Sequence, residues 1–179
     1  MTAIIKRILV PVDFGLESEV ALFHAKRLAA RLGARVDLLH VVEMAAAEWE
    51  TDSFTVDLPQ TVDAMRHDAD FRLRTLLTPA ERIELKAALA IVAGSPARQI
   101  LAYARSHDID LIVMGTHGRC GFARTMLGSV AERTIRTAPC PVLTVRAMTS
   151  PLDVAVARSD AAVWAPWSRG LSAAHVAAL

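Results

Sequence analysis

Apolar residues follow two kinds of pattern along the chain. In five short runs almost every position is apolar, which is typical of strands buried on both faces of a parallel sheet. These runs cover residues 7–13, 34–42, 85–92, 109–114 and 141–146. Pro11 has no N–H group to donate to a strand ladder, so we expect the first strand to end near it.

Between these runs, apolar residues recur at intervals of three and four positions, which predicts helices. The predicted helices cover residues 17–32, 61–77, 96–106 and 129–138. Gly33 stands where a helix commonly ends, Ser95 with Pro96 is a typical helix start, and Pro139 stops the last helix. The alternation of strands and helices predicts an α/β fold with a parallel sheet and right-handed crossovers.

The fourth apolar run leads into a glycine-rich loop. The run breaks at Gly115, and further glycines follow at Gly118, Gly121 and Gly128 before the last helix. Glycine lets the backbone approach a ligand without a Cβ atom in the way. The loop brings backbone N–H groups and the positive end of a helix dipole to one place, which indicates an anion site.

Two other interpretations of this loop stay open at the level of the residues. Ser129 followed by Glu132 is also a capping box, in which both side chains satisfy N–H groups of their own helix. Glycines after a strand are also common in plain turns. The two best-known phosphate fingerprints are absent: no G-x-G-x-x-G follows the first strand, and no G-x-x-x-x-G-K-[ST] occurs.

The spacing Gly115-x2-Gly118-x9-Gly128-Ser129 resembles the glycine motif of the ATP-binding branch of the universal stress protein family. The similarity extends over residues 6–146, and its most recognisable phrases are DLIVMGTHGR (110–119), GSVAE (128–132) and APCPVLTV (138–145). The resemblance implies an open, Rossmann-like sheet of five parallel strands in the order 3-2-1-4-5, with helices on both faces. It also implies ATP at the carboxyl edge of the sheet.

The resemblance carries a set of nucleotide-binding residues over to this chain. They are Pro11, Val12, Asp13, Val41, Met114, Gly115, His117, Gly118, Arg119, Gly128, Ser129 and Val130. Under it the glycines and the serine hold the phosphates through backbone N–H groups and one hydroxyl, and Asp13 meets the ribose or a metal. Met114 and Val41 would form apolar walls for the base. Mg²⁺ or Mn²⁺ is expected with ATP, with few protein ligands because such ions keep water and phosphate oxygens.

Several of these side chains also have a plainer interpretation. Asp13 is a common type of residue for capping the turn into a helix. Arg119 offers the phosphates a charged donor or is simply a solvated loop residue, and a neutral His117 has one hydrogen bond to donate. His40 is expected to be a satisfied strand-end histidine rather than a catalytic base.

The remaining segments predict the outline of the molecule. Residues 43–59 lack a clear period and form either a flap near the nucleotide edge or a plain surface loop. The last strand, 141–146, is a natural sheet edge, and the resemblance implies a homodimer through it. We expect a nucleotide-binding domain over 1–148. The extension over 149–179 has tryptophans that either dock onto the domain or a partner, or belong to a mobile tail.

Composition narrows the classes of function. The chain has 179 residues, 53% of them hydrophobic and 22% charged, as expected of a folded domain with some extra length. A net charge of +1 gives no reason to expect nucleic-acid or membrane binding. No long apolar run or signal-peptide layout is present, so a cytoplasmic location is predicted. The two cysteines make neither a disulfide framework nor a zinc site, and Cys140 is expected to be a buried structural thiol.

The leading hypothesis is a stress-response regulatory module that binds ATP. A slow ATPase or phosphotransferase is the first alternative. The loop has no lysine and no acidic residue to position a water molecule, so hydrolysis is expected to be absent or very slow. A nucleotide-free dimeric adaptor, like family members that lack the glycine motif, is the second alternative, and the intact glycine spacing disfavours it.

Overall fold

The computed structural model describes residues 5–43, 58–116 and 127–146, and of residues 58–62 only the backbone. Within these residues the strands are β1 (Arg7–Val12), β2 (Arg35–Val42), β3 (Ala88–Ala93), β4 (Leu111–Gly115) and β5 (Val142–Val145). The helices are α1 (Leu16–Leu32), α2 (Leu58–Thr75), α3 (Pro79–Glu84), α4 (Pro96–Ser106) and α5 (Ser129–Thr137).

The strands form one parallel sheet in the order β3-β2-β1-β4-β5. This confirms the predicted α/β fold and its strand order 3-2-1-4-5. The order reverses between β1 and β4, because the chain moves from β1 towards one edge and from β4 towards the other. Crevices at such a point, beyond the carboxyl ends of the strands, are where open α/β sheets bind ligands.

The core has two parts, one on each face of the sheet. On one face Ile8, Val10 and Val12 pack with residues of α1 and α2, and on the other Leu9 and Ile112 pack with residues of α4 and α5. Alternate residues of a strand point to opposite faces. Covering both faces therefore requires apolar residues at consecutive positions, which explains the continuous apolar runs.

The start of β3 differs from the sequence-based expectation because a short helix intervenes. Thr78 caps α3 by accepting a hydrogen bond from the Glu81 N–H, and the Glu81 side chain accepts one from the Thr78 N–H. This capping box was not predicted. Leu85 then ends α3 and Lys86 has a left-handed backbone, with φ of 47°, so β3 begins at Ala88 rather than near residue 85.

A buried charged cluster lies near the amino end of β2. Asp37 is completely buried, and its carboxylate is 3.1 Å from Arg35 and 3.4 Å from Arg7. The Tyr103 hydroxyl donates to the same carboxylate at 3.2 Å. Burial of the phenol, followed by the nearby charge of Asp37, raises the pKa of Tyr103 to about 12. Asp37 is therefore a structural ion held by three partners.

Some predicted segments lie outside the described residues. The chain divides into two units, Met1–Arg146 and Ala147–Leu179, and only the first contains described residues. Most of the segment predicted as a flap or loop, 44–57, and the extension, 149–179, therefore have no structural account. In the described part of the chain, no helix is both long enough and apolar enough to cross a membrane.

Candidate functional site at the carboxyl edge

Asp13 follows β1 directly at the carboxyl edge of the sheet. One of its carboxylate oxygens accepts a hydrogen bond from the Gly15 N–H at 2.9 Å, and Gly15 is the N-cap of α1. The plainer interpretation of Asp13, a cap of the turn into the first helix, is thus confirmed. Pro11 lies within β1 and is paired with Leu39 of β2. Val12, the last residue of β1, is buried just before the turn.

Gly115, the last residue of β4, is packed against the first turn of α1. A Cβ atom at this position would lie 2.7 Å from the Cβ atom of Glu17 and 3.1 Å from its carbonyl carbon. Real Cβ atoms do not approach so closely. The absence of a side chain at Gly115 therefore lets α1 approach β4.

Thr116 connects four elements at this edge and was missed in the sequence. Its hydroxyl donates to the Glu17 carboxylate at 2.9 Å, and its N–H donates to the Val145 carbonyl at 2.9 Å. Its own carbonyl accepts a hydrogen bond from the Gly128 N–H at 2.8 Å. A hydroxyl residue directly after a strand and before a glycine-rich loop is the only signal that the sequence offers for such a role.

The bond from Gly128 to Thr116 closes the glycine-rich loop and seats α5 beside β4. Gly128 is the N-cap of α5, with φ of −61° and ψ of 145°, a conformation open to any residue. The first hydrogen bond within the helix runs from the Glu132 N–H to the Gly128 carbonyl. The N–H groups of Ser129 and Val130 precede that bond and so have no acceptor within their helix.

The predicted capping box of Ser129 and Glu132 is not formed. A capping box requires its serine at the N-cap, but Ser129 is the first residue inside the helix. Glu132 instead forms an ion pair with Arg136, one helical turn later, at 2.8 Å. The first turn of α5 therefore keeps backbone donors at the carboxyl edge, where Ser129 is exposed.

The apolar candidates, Met114 and Val41, lie on the face of the sheet that α4 and α5 cover. Met114 is 5% exposed and belongs to the core part under α4 and α5, against which Val41 also packs. Val41 is half-buried near the carboxyl end of β2. Met114 is thus mainly a core residue, whereas the side chain of Val41 has more exposed surface that could contact a ligand.

Two histidines were singled out in the sequence. His40 lies in β2, where its Nδ1 atom is 2.7 Å from the Val12 carbonyl and its ring packs on Phe14, which confirms a satisfied strand-end histidine. His117 lies outside the described residues, as do Gly118 and Arg119.

Cys140 was expected to be a buried structural thiol and is half-buried against the core under α4 and α5. Burial, and after it the charge of Asp110, raises the pKa of its thiol, which keeps it protonated at neutral pH. Among the described residues, no three His, Cys, Asp or Glu side chains are grouped to hold a metal ion.

Known proteins share both the sequence and this architecture. The model of the universal stress protein family matches residues 5–146. The chain belongs to the universal stress protein family. A universal stress protein of Methanocaldococcus jannaschii is 34% identical over 148 residues, which cover 79% of this chain and 82% of the relative. The universal stress protein YxiE of Bacillus subtilis is 32% identical over 145 residues, which cover 78% and 98%.

Solved structures agree with this family assignment. The hypothetical protein MJ0577 of M. jannaschii superimposes with a TM-score of 0.69 at 30% identity, over 82% of this chain and 99% of that one. The universal stress protein UspA of Lactobacillus plantarum gives a TM-score of 0.66 at 30% identity, over 80% and 99%. The match ends with the first unit of the chain, so residues 147–179 are an addition to the family pattern.

Proposed function

We propose that this universal stress protein binds ATP with a divalent cation at the carboxyl edge, as a nucleotide-dependent regulatory module of a stress response. One observation carries the proposal. The first turn of α5 presents the N–H groups of Ser129 and Val130 at the point where the strand order reverses. Such a helix terminus favours phosphate, because its N–H groups and its dipole both attract an anion.

The geometry suggests how the proposed roles divide. The Gly128 N–H already bonds to Thr116, so we assign the phosphate contacts to the N–H groups of Ser129 and Val130 and to the Ser129 hydroxyl. Gly128 then seats the helix and lets the ligand come close. Asp13 is assigned to the ribose hydroxyls, because phosphate would repel its carboxylate.

The remaining candidates keep their proposed places. Val41, with a part of Met114, would line the base pocket, while Pro11 and Val12 shape its floor. His117, Gly118 and Arg119 are assigned to the phosphates from the sequence alone. Mg²⁺ or Mn²⁺ fits this edge as an ion held mainly by phosphate oxygens and water, and Asp13 offers a carboxylate directly after the central strand β1.

Two variants of one residue test the backbone contact. Ser129→Pro removes the N–H and the hydroxyl, and proline suits this position because Ser129 opens the helix and Gly128 already has the extended backbone that precedes proline. Ser129→Ala removes the hydroxyl alone. By calorimetry with Mg-ATP, we expect Ser129→Pro to weaken binding by about tenfold more than Ser129→Ala, as a bond to a charged group requires.

Matched controls make this test decisive. Gly128→Ala tests close approach: its backbone angles suit alanine, so we expect a folded protein that has lost ATP binding. Nucleotide released from freshly purified, denatured protein should be identified by chromatography. Equal affinities of the wild-type, Ser129→Pro and Gly128→Ala proteins would refute the phosphate assignment.

The same samples separate binding from turnover. Asp13 is assigned to the ribose, and the Glu17 carboxylate accepts a hydrogen bond from the Thr116 hydroxyl, so we assign neither as the base for an attacking water. We expect hydrolysis to be absent or very slow. A universal stress protein solved in complex with cAMP is 21% identical to this chain, with a TM-score of 0.51, so it supports the fold alone. We include cAMP in the calorimetry as a second adenine nucleotide for comparison with ATP.

We also propose a homodimer through the edge strand, residues 141–146. β5 pairs with β4 on one side, and Leu143 is 39% exposed. Light scattering should give a dimeric mass for the wild-type protein and a monomeric mass for Leu143→Lys, since a charge opposes edge pairing. If this variant were still a dimer, the dimer contact would not be the edge strand.

A further inference from the structure

Phe14, which follows Asp13, has an unusual backbone. Its φ of 62° is in the left-handed region, which bulky residues seldom adopt because of a clash between Cβ and the backbone. Such a conformation persists only where surrounding contacts enforce it. The residues around the Phe14 ring therefore decide whether this turn keeps its shape.

In the part of the chain that the structure describes, side chains from β2 and α2 contact the ring. His40 of β2 packs against it with 4.5 Å between ring centroids, and the His40 ring is anchored by its bond to the Val12 carbonyl at 2.7 Å. Arg72 of α2 covers it, with the guanidinium carbon 4.2 Å from the ring centroid. A planar guanidinium over an aromatic face is a favourable cation–π contact.

The stacking contact is the better of the two contacts that the structure shows for the side chain of Arg72. Its ion pair with Asp68 spans 3.9 Å between side chains that are 41% and 70% exposed, so water weakens it. Arg74, two residues later, forms a shorter ion pair with Asp70 at 2.6 Å. The two arginines thus differ in partner while sharing one helix.

We infer that Arg72 is a positioning residue for the nucleotide site, which it serves by holding Phe14 and, through Phe14, the carboxylate of Asp13. The left-handed turn at Phe14 lets the Gly15 N–H reach that carboxylate at 2.9 Å, which fixes its direction. This inference rests on the proposed function. It links the ribose part of the site to the position of α2.

A thermodynamic cycle tests this link. Arg72→Gln should lower the affinity for ATP by about fivefold, as loss of a partly exposed cation–π contact implies. It should have no such effect on 2′,3′-dideoxy-ATP, which lacks the hydroxyls assigned to Asp13. In an Asp13→Asn background, Arg72→Gln should cause no further loss, because the affected carboxylate is already gone.

Two controls exclude a general effect of the charge. Arg74→Gln removes a charge from the same helix and should leave both affinities unchanged. Arg72→Lys keeps the cation without the planar group and should restore part of the affinity for ATP. Equal losses for ATP and its dideoxy analogue, or losses that add in the cycle, would overturn the inference and leave ATP binding itself intact.

A measurement without nucleotide separates this inference from the proposed function. Hydrogen exchange of the Gly15 amide reports directly on its bond to Asp13. Arg72→Gln should speed this exchange and Arg74→Gln should not. If the wild-type protein binds no nucleotide, the proposed function fails and the role in nucleotide binding fails with it, whereas faster exchange would still support the link to Asp13. Unchanged exchange in Arg72→Gln would refute the link in either case.

Discussion

The two ends of the parallel sheet treat their polar groups differently. At the amino end, Asp37 is buried and shared among Arg7, Arg35 and Tyr103, and the Asp110 carboxylate accepts the Arg7 N–H at 2.9 Å. Asp37 and Asp110 each accept from more than one donor. A buried charge is tolerated only with such partners. The polar groups at this end therefore serve the stability of the fold.

At the carboxyl end, the backbone donors of α5 begin close to solvent. Ser129 is exposed at the start of α5, where the N–H groups of the first turn have no acceptor in their own helix. Asp13 is half-buried beside the same edge. Donors that a folded chain leaves at a helix terminus are available to a ligand.

The comparison teaches that charge alone does not mark a functional site in this fold. Asp37 is the most buried carboxylate among the described residues, yet its bonds are all used within the protein. The carboxyl end offers backbone donors that no composition or charge count would reveal. Mutations should therefore separate the two ends: one controls stability and the other controls binding.

The largest loss of stability is expected from Asp37→Ala, which leaves two guanidinium groups beside a vacated carboxylate. We expect the free energy of unfolding to fall by about 3 kcal/mol, since removal of one partner of a buried ion pair is strongly destabilising. Urea unfolding measures the change. ATP affinity should stay the same in the folded fraction, because the cluster lies at the opposite end from Ser129.

Asp70→Ala is the matched control for Asp37. Its carboxylate also pairs with an arginine, Arg74, at 2.6 Å, but both side chains are exposed. Little change in stability is expected there. If Asp37→Ala lowered the free energy of unfolding as little as Asp70→Ala, the buried cluster at the amino end would not stabilise the fold as its burial indicates.

The next effect is expected at Gly115 of the carboxyl end, where one substitution should change both stability and binding. Gly115→Ala would place a Cβ atom 2.7 Å from that of Glu17, so the first turn of α1 must shift. We expect a loss of about 2 kcal/mol, typical of overpacking, together with weaker ATP binding because α1 starts beside Asp13.

Gly33→Ala separates steric crowding from backbone strain. Gly33 has φ of 66° with nothing within 4 Å of an added Cβ atom, so only about 1 kcal/mol of left-handed strain is expected. Urea unfolding and calorimetry of both variants test this order. A milder effect at Gly115 than at Gly33, or unchanged ATP binding in Gly115→Ala, would contradict it.

Tyr103 makes the amino end sensitive to alkaline pH. Its folded pKa is raised from 10.0 to about 12, so the folded state disfavours the phenolate. The stability that Tyr103 contributes is complete below pH 10 and is lost as pH rises through about 12. Tyr103 is the only tyrosine in the sequence, so absorbance of the phenolate titrates this residue alone.

Tyr103→Phe provides the control for this pH dependence. Its urea unfolding curve should shift less between pH 9 and about pH 11 than that of the wild-type protein, because phenylalanine cannot ionise. A wild-type titration near the ordinary tyrosine pKa would mean that the phenol is neither buried nor held beside Asp37.

The fold was predictable because apolar periodicity is a direct consequence of burial. Strands covered on both faces must be apolar throughout. In helices covered on one side, apolar residues must recur every three to four positions. The short helix α3 escaped this logic, since none of its side chains is buried. Its signal was local: Thr78, Pro79 and Glu81 form a capping box with proline at the helix start.

The site was only partly predictable, because its contacts join residues far apart in the sequence. Thr116 bonds to Glu17 across 99 positions, and Arg72 reaches Phe14 from another helix. No periodicity encodes such pairs. Gly115 shows the same limit: its glycine was explained by a ligand, and the structure adds the packing of α1 as a second reason.

The smallest expected effect tests whether the first turn of α5 keeps its donors. Glu132→Ala should cost about 0.3 kcal/mol, the value of an exposed pair with Arg136 one turn away. Thr78→Ala, at the capping box that does form, should cost about 1 kcal/mol. Urea unfolding of the two variants distinguishes them. If Glu132→Ala cost as much as Thr78→Ala, a capping box would form at Ser129 too. Its side chains would then accept from N–H groups of that turn. The donors at the carboxyl end would be bonded within the protein, as those at the amino end are, and would not be available to a phosphate.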